Sequence, residues 1–338
     1  MVSGLYNLYA IRILMNSKKA LGSDAIKIVE GVLATSLAEK GMEEPLTEEE
    51  TAQLLAHMLF GVTNETGIKL VEVRDFPKIA EVGTFKYSGQ ADTMHAEGLM
   101  PDDIYEGLRD LKIDRHIGPC YLRVKGLLTH IPTRILFGRQ MAFIVRDYLD
   151  SKPLTKETGY VVSAPNMTGG AFIGDETGRQ LQTILTAYPV WPATPYTRDI
   201  RKPIDAVKKG AAFVDGVEGL VPSPEETGAV LCFEELRTVA ETTRNATLHY
   251  TQHGYNEQNG VRIVEMCVFD YRHPAGLARL ESLGVDGLYA VNGKTFIQEC
   301  RKLGYISDSQ EGTALGWLAQ PWEFTRQVLP DLRRLSGR

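Results

Sequence analysis

The amino-acid sequence predicts an α/β protein: a mostly parallel sheet flanked by helices, preceded by a mainly helical N-terminal segment. From about residue 112 onward, short apolar runs alternate with helical patterns, which is typical of βαβ units. The chain has 338 residues, which exceeds the usual size of one domain, so we expect more than one structural unit. The predicted units are a helical extension or hood (1–111), an α/β domain (112–310) and a helical tail (311–338).

The N-terminal segment contains several helix signals. Apolar residues recur at helical spacing from Ser23 to about Leu37, which predicts one helix. Thr47 and Glu50 form a capping-box pattern that predicts the start of a second helix. A β-like stretch from Lys69 to Val73 and a Gly-rich, polar passage from Gly83 to Gly98 follow. Pro101 and two acids then open a third helix that we expect to reach Leu111.

The α/β region supplies its own series of elements. Its predicted helices are Thr133–Leu149, Gly174–Leu185 and Ala275–Leu283. Ligands of open parallel sheets bind beyond the carboxyl ends of the strands, so the segments that follow strands are the places to search for chemistry. The predicted strands are Cys120–Val124, Tyr160–Ala164, Ala229–Phe233, Val261–Phe269 and Gly287–Val291.

Composition excludes several classes of protein. The net charge of −6 gives no broad electrostatic footprint for nucleic acid. No apolar run is long enough to span a bilayer and no clear signal peptide is present, so we expect a cytoplasmic protein that is neither secreted nor embedded in a membrane. The four cysteines lack metal-ligand spacing and are expected to be reduced. The seven histidines show no such spacing either, and no metal site is predicted from them.

The strongest chemical signal is an apolar run that ends in two adjacent acids. Ala229–Phe233 is followed by Glu234 and Glu235 and then by a hydroxyl-rich turn. Adjacent carboxylates can accept hydrogen bonds from the vicinal hydroxyls of a ribose, and a turn that enters a helix can wrap a phosphate. A solvated strand end followed by an ordinary helix N-cap has the same composition. The hydroxyls of this turn are those of Thr238, Thr242 and Thr243.

Three other segments could contact the same anionic ligand. Gly169 and Gly170 follow an apolar strand and would let a ligand approach the backbone, although a plain strand-to-helix turn is the alternative. Arg272 precedes a predicted helix, where a role beside a nucleobase competes with an ordinary surface turn. The segment from Pro192 to Ala212 could be a loop that neutralises a leaving diphosphate, or a charged surface hairpin. Its cations include Arg201, Lys202, Lys208 and Lys209.

Taken together, these segments resemble the motifs of type I phosphoribosyltransferases, most closely those of orotate phosphoribosyltransferases. That family has an apolar strand, two acids and a Thr/Gly-rich phosphate loop, and the other segments fall in the family's order. The resemblance covers about residues 112–305 and implies a five-stranded parallel core under a small hood. The matching segments are Gly118–Val124, Thr129–Leu149, Tyr160–Ala171, Arg201–Gly210, Ala229–Thr243 and Asp270–Gly276.

The resemblance also implies an activity. It implies transfer of phosphoribose from phosphoribosyl diphosphate (PRPP) to a nucleobase, with an orotate-like pyrimidine first among the candidates. Mg²⁺ would arrive with the diphosphate, and a homodimer would let one subunit's basic loop close over its neighbour's site. The implied catalytic residues are Glu234, Glu235, Lys202, Lys208 and Lys209. The implied substrate-binding residues are Ala164, Asn166, Thr168, Gly169, Gly170, Thr238, Ala240, Thr242, Thr243 and Arg272.

The chain departs from the family pattern at the phosphate loop. Glu235 stands where the family has Asp, and Ala240 and Glu241 stand at positions that are normally Gly. These departures favour an alternative, a catalytically inactive relative that binds PRPP or a nucleotide as a sensor or regulator. The two acids and the lysines favour the enzyme. A dinucleotide-binding domain is not favoured, because no G-x-G-x-x-G follows an early strand.

Overall fold

A five-stranded parallel sheet is the centre of the computed structural model, which describes residues 34–61, 71–73, 90–111, 118–122, 124–128, 131–156, 159–165, 168–192 and 222–336. Its strand order is β4-β3-β5-β6-β7, and a separate antiparallel pair is formed by β1 and β2. The strands are β1 (Val71–Val73), β2 (Cys120–Leu122), β3 (Tyr160–Pro165), β4 (Val190–Pro192), β5 (Thr227–Arg237), β6 (Arg262–Asp270) and β7 (Asp286–Asn292).

Helices precede, connect and follow these strands. The first group is α1 (34–43), α2 (Glu48–Ala56, continued by a π-helical turn His57–Gly61), α3 (Gln90–Ala96), α4 (Asp102–Asp110) and α5 (Val124–Leu127). The helices between strands are α6 (Ile131–Ser151), α7 (Thr168–Ile184), α8 (Glu241–Gln252) and α9 (Pro274–Ser282). The last three are α10 (Gly293–Lys302), α11 (Asp308–Ala319) and α12 (Pro321–Ser336).

Both faces of the sheet are covered, and alternate side chains of β5 enter two different cores. Leu231 and Phe233 pack in the main core with residues of α6 and α7, whereas Val230 and Cys232 pack in a second core with residues of α8 and α9. A strand buried on both faces is apolar at every position rather than at every second one. The predicted fold class, a parallel sheet flanked by helices, is confirmed.

The N-terminal and C-terminal helices pack onto this sheet unit. The capping box of Thr47 and Glu50 is present, and α2 contributes Leu55 to the main core together with Trp317 of α11. We use the name hood helices for α3, α4 and α12. Their apolar side chains form a third cluster that includes Val239, which follows β5, and Ala275 of α9. The hood helices therefore cover the segment after β5.

The structure corrects three sequence-based expectations. The polar passage Gly83–Gly98 contains α3, because Ala91 and Met94 lie one turn apart and are both buried. β4 was not predicted, since its three residues include a proline and are too few to show a pattern. β5 extends four residues beyond the predicted end at Phe233, because its pairing with β6 continues to Arg237. Residues 23–33 of the first predicted helix lie outside the described residues.

Two expectations from composition concern the cysteines and membrane-spanning helices. Cys232, Cys267 and Cys300 are buried, and none of these three described cysteines forms a disulfide. Within the described residues, no helix combines the length and the apolar character that a membrane crossing requires.

Two helices approach β5 so closely that only glycine fits at the contact. A Cβ on Gly170, in the first turn of α7, would overlap the carbonyl oxygen of Phe233. A Cβ on Gly276, in the first turn of α9, would overlap the carbonyl oxygen of Thr238. Backbone atoms cannot move aside as the end of a flexible side chain can, so these glycines fix how near the two helices lie to β5.

We predict that Gly170→Ala destabilises the fold, because its methyl group meets the backbone of the central strand. The expected loss is about 3 kcal/mol of unfolding free energy, measured by urea denaturation. Gly312→Ala is the matched control, since Gly312 is exposed in α11 with open space around it. This control should gain up to about 1 kcal/mol from better helix propensity. Equal effects of the two substitutions would contradict the close-approach argument.

Candidate functional site

The candidate site lies at the carboxyl edge of the sheet, where the strand order reverses. β3 is followed in sequence by β4 on one side of it, and β5 lies on its other side. Segments that leave β3 and β5 therefore diverge, and ligands of open α/β sheets bind in the crevice at such a reversal. The neighbouring parallel strands β3, β5 and β6 all end at this edge.

The two acids of the sequence motif lie inside β5 rather than after it. Glu234 pairs in register with Cys267 of β6 and is 6% exposed, and Glu235 is half-buried. Successive residues of a strand project to opposite faces of the sheet. The sequence placed the two acids directly after the strand, whereas the pairing of β5 with β6 continues past them to Arg237. Their carboxylates instead flank the end of β5.

A buried arginine organises the end of the same strand. Arg237 forms ion pairs with Glu265 and Asp270 of β6, the second at 2.6 Å between Nη2 and Oδ2. All three side chains are at most 1% exposed. Gly287 of β7 leaves the space for the guanidinium, because a Cβ there would lie 2.6 Å from Nη1 of Arg237. We did not predict this network, although a charged residue next to an apolar strand run was the available signal.

Asp270 connects this buried network to Arg272. Its Oδ1 accepts a hydrogen bond from the Arg272 N–H at 2.7 Å, and Arg272 adopts a left-handed conformation with φ +55°. The guanidinium of Arg272 lies over the ring of Tyr289, 5.5 Å from its centroid, and the side chain is 47% exposed. Arg272 therefore stands at the rim of the crevice, held by a carboxylate that Arg237 holds in turn.

The segment from Thr238 to Ala240 leads directly into α8. Ala240 is the N-cap residue of that helix and has φ +51°, a conformation that favours glycine. No side chain caps the helix, so its first N–H groups have no side-chain acceptor from the N-cap. Thr238 and Thr242 are half-buried and Thr243 is 1% exposed. The turn is a short connection from β5 to α8, and its Val239 packs beneath the hood helices.

Glu241, the first residue of α8, is held by a second buried arginine. Arg279 of α9 is 2% exposed, and its Nη1 lies 2.8 Å from Oε2 of Glu241. The same nitrogen donates a hydrogen bond to the Val239 carbonyl at 2.7 Å. Burial raises the pKa of Glu241 above its ordinary value, and Arg279 acts in the opposite direction. The sequence placed Glu241 beside a phosphate without identifying Arg279 as its partner.

The β3 side of the site differs from the expected loop. β3 includes Ala164 and ends at Pro165, and α7 begins at Thr168. Thr168, Gly169 and Gly170 therefore form the first turn of a helix, and the close packing of Gly170 on β5 accounts for its lack of a side chain. The N-terminus of α7 nevertheless faces the edge where β3 ends. Asn166, Lys202, Lys208 and Lys209 lie outside the described residues.

We predict that Ala240→Gly stabilises the protein, because glycine adopts φ +51° without the steric cost that a Cβ brings. The expected gain is about 1 kcal/mol of unfolding free energy, measured by urea denaturation. Ala278→Gly inside α9 is the matched control, and we expect it to lose about 1 kcal/mol because glycine disfavours a helix interior. Two losses of similar size would show that the backbone at Ala240 is not strained.

Comparisons with known proteins give likenesses of structure alone. No protein-family model matches the chain, and no curated protein matches it. Among solved structures, the UMP synthase of Leishmania donovani matches with a TM-score of 0.38 and 15% sequence identity. The match covers 64% of this chain and 42% of that one, so the chain corresponds to less than half of the synthase's length. A likeness at this TM-score carries no argument about activity.

Proposed function

We propose that this chain binds a phosphorylated ribose at the carboxyl edge of its sheet and transfers phosphoribose from PRPP to a nucleobase. An orotate-like pyrimidine is the first candidate for that nucleobase. One observation carries the proposal. β5 delivers Glu234 and Glu235 to the point of strand-order reversal and then turns through the left-handed Ala240 into α8, whose N-terminus has no side-chain cap. This arrangement offers acceptors for ribose hydroxyls and donors for a phosphate within one short segment.

In the proposed reaction, a nitrogen of the base attacks C1 of the ribose. The bond from C1 to the diphosphate oxygen breaks, and its electron pair leaves with the diphosphate. The ribose acquires positive charge at the transition state, which the carboxylates of Glu234 and Glu235 would stabilise while accepting its hydroxyl protons in hydrogen bonds. The 5′-phosphate would lie against Thr238, Ala240, Thr242 and Thr243. Arg272 is proposed to contact the base.

The leaving diphosphate is proposed to lie on the β3 side. The N-terminus of α7, with Thr168 and Gly169, offers backbone N–H groups to it, and Ala164 and Asn166 flank that position in the sequence. Lys202, Lys208 and Lys209 would neutralise it. Among the described residues no cluster of three or more His, Cys, Asp or Glu could hold a metal. A Mg²⁺ that arrives with the diphosphate would neutralise the charge of the leaving group, with a carboxylate such as that of Glu235 as its protein ligand.

A second candidate is binding without turnover. It is favoured by the departures from the family pattern after β5: Glu241, which Arg279 holds at the first residue of α8, stands at a position where that family normally has Gly. Under this proposal the chain senses PRPP or a nucleotide and couples its binding to a partner.

Calorimetric titration with PRPP and Mg²⁺, followed by an assay of diphosphate release with added orotate and other bases, separates the two candidates. Binding with release on one base supports the transferase and identifies its acceptor. Binding without release on any base supports the sensor. No binding at all contradicts both.

We predict that the double change Glu234→Gln and Glu235→Gln weakens PRPP binding at least about 100-fold, because two charged hydrogen-bond acceptors for the ribose are lost. Calorimetry measures the dissociation constant, and thermal unfolding checks the fold. The matched control is Glu225→Gln with Glu226→Gln, an exposed pair of glutamates at the opposite end of β5. The control should bind like the unchanged protein. Undiminished binding in the Glu234 and Glu235 variant would remove these residues from the site.

A further inference from the structure

Four charged side chains form a cluster where the hood helices meet the N-terminus of α8. Glu97, which directly follows α3, pairs through Oε2 with Nε of Arg279 at 2.7 Å. Its other oxygen pairs with Nε of Arg244 in α8. Arg279 also lies 2.8 Å from Glu241. One carboxylate of the hood thus bridges two guanidinium groups that belong to the sheet unit.

Within the described residues, the cluster and the first turn of α8 contain buried polar atoms without hydrogen bonds, among them Oε2 of Glu241, and two of these atoms are donors. Two arginines and two glutamates give it a net charge of zero, yet Nη2 of Arg279 is buried and has no hydrogen-bond partner among the described residues. Oγ1 of Thr243, in the first turn of α8, is likewise buried there without one. The N-terminus of α8 also lacks a side-chain cap. Buried donors without partners are rare in folded proteins and mark a place where an acceptor is missing.

The donors converge on the turn after β5. Nη1 of Arg279 donates to the Val239 carbonyl, which places the guanidinium against that turn. Ala240 directly follows Val239 and Thr243 lies in the first turn of α8, so the helix N-terminus, the Thr243 hydroxyl and the arginine belong to one locus. A carboxylate such as that of Glu97 presents two oxygens to it, whereas a phosphate presents three and carries more charge.

We propose that Glu97 is an internal anion at this locus, and that a ligand phosphate binds by displacing it and pairing with Arg244 and Arg279. The inference rests on the proposed function, and it adds two phosphate-binding arginines and a competitor carried by the hood. Because Glu97 directly follows α3, its displacement breaks the only ion pairs that the described residues show between that segment and α8 or α9. Binding of a phosphate therefore loosens the hood.

Glu97→Gln tests the displacement directly. The substitution keeps the shape of the side chain and leaves the cluster with a net charge of +1 instead of zero, so a phosphate no longer competes with a carboxylate. The first probe is inorganic phosphate, titrated by calorimetry at constant ionic strength. We expect Glu97→Gln to bind phosphate at least about fivefold more tightly than the unchanged protein, the lower end of ordinary coupling effects.

Two further variants make the result specific. Asp103→Asn also removes a hood carboxylate paired with an arginine, because Asp103 of α4 lies 2.7 Å from Arg326 of α12, but it lies outside the cluster. This control should bind phosphate like the unchanged protein. Adding Arg244→Gln to Glu97→Gln should abolish the gain. If Glu97→Gln does not unfold cooperatively, Glu97→Asp replaces it, since its shorter side chain cannot bridge both arginines.

The outcomes separate this inference from the proposed function. A gain in phosphate affinity confined to the Glu97 variant supports displacement, and the same gain for PRPP supports both proposals. If Glu97→Gln binds phosphate more tightly but PRPP binds to neither protein, the role of Glu97 as an internal anion is supported and the proposed function is contradicted. PRPP binding with no change between the unchanged protein and Glu97→Gln retains the function and overturns the inference. Equal gains in Glu97→Gln and Asp103→Asn also overturn it, because they would reflect overall charge alone.

Discussion

The first turns of two helices rest directly on the backbone of β5 and of the residue after it, and the geometry of the whole carboxyl edge depends on these contacts. Gly170 of α7 meets the Phe233 carbonyl, and Gly276 of α9 meets the Thr238 carbonyl. The helices approach on the two faces of a strand that is buried along most of its length. Their N-termini are thereby brought to the same edge, where their N–H groups and dipoles face any anion that binds there. Because neither glycine has a side chain that could rotate aside, these contacts can change only if a whole helix shifts slightly.

Two buried arginines connect the strand ends to their surroundings. Arg237 holds Glu265 and Asp270 of β6, and Arg279 holds Glu97 and Glu241. Removing one partner of a buried ion pair commonly costs about 3–5 kcal/mol, whereas the complete pair adds little stability by itself. Their role is therefore better described as fixing positions. Arg237 fixes the position of Asp270, whose carboxylate holds the backbone of Arg272. Arg279 fixes the turn that enters α8.

The hood helices give the site a cover that a bare sheet edge lacks. Val239 lies in one apolar cluster with side chains of α4 and α12, and Glu97 reaches the same region through ion pairs. Apolar burial holds the cover in place, whereas the ion pairs are contacts that another anion can exchange. A ligand that binds at the turn after β5 meets both the apolar packing and the ion pairs of this cover. On this basis we propose that access to the site and the packing of the hood are coupled.

The sequence by itself determined the α/β class, the capping box at Thr47 and most of the strand and helix positions, because periodicity and caps are local properties of the chain. It also brought Glu234 and Glu235 to attention, since acids directly after an apolar run are conspicuous. It could not determine where β5 ends, because the pairing of Arg237 with Asp270 depends on a strand that lies about thirty residues away. The αL conformation of Ala240, the two buried arginines and the partnership of Glu97 with Arg279 were decided by the tertiary structure alone. The ion pairs join residues from separate elements, and a contact between distant segments leaves no periodic trace in the chain.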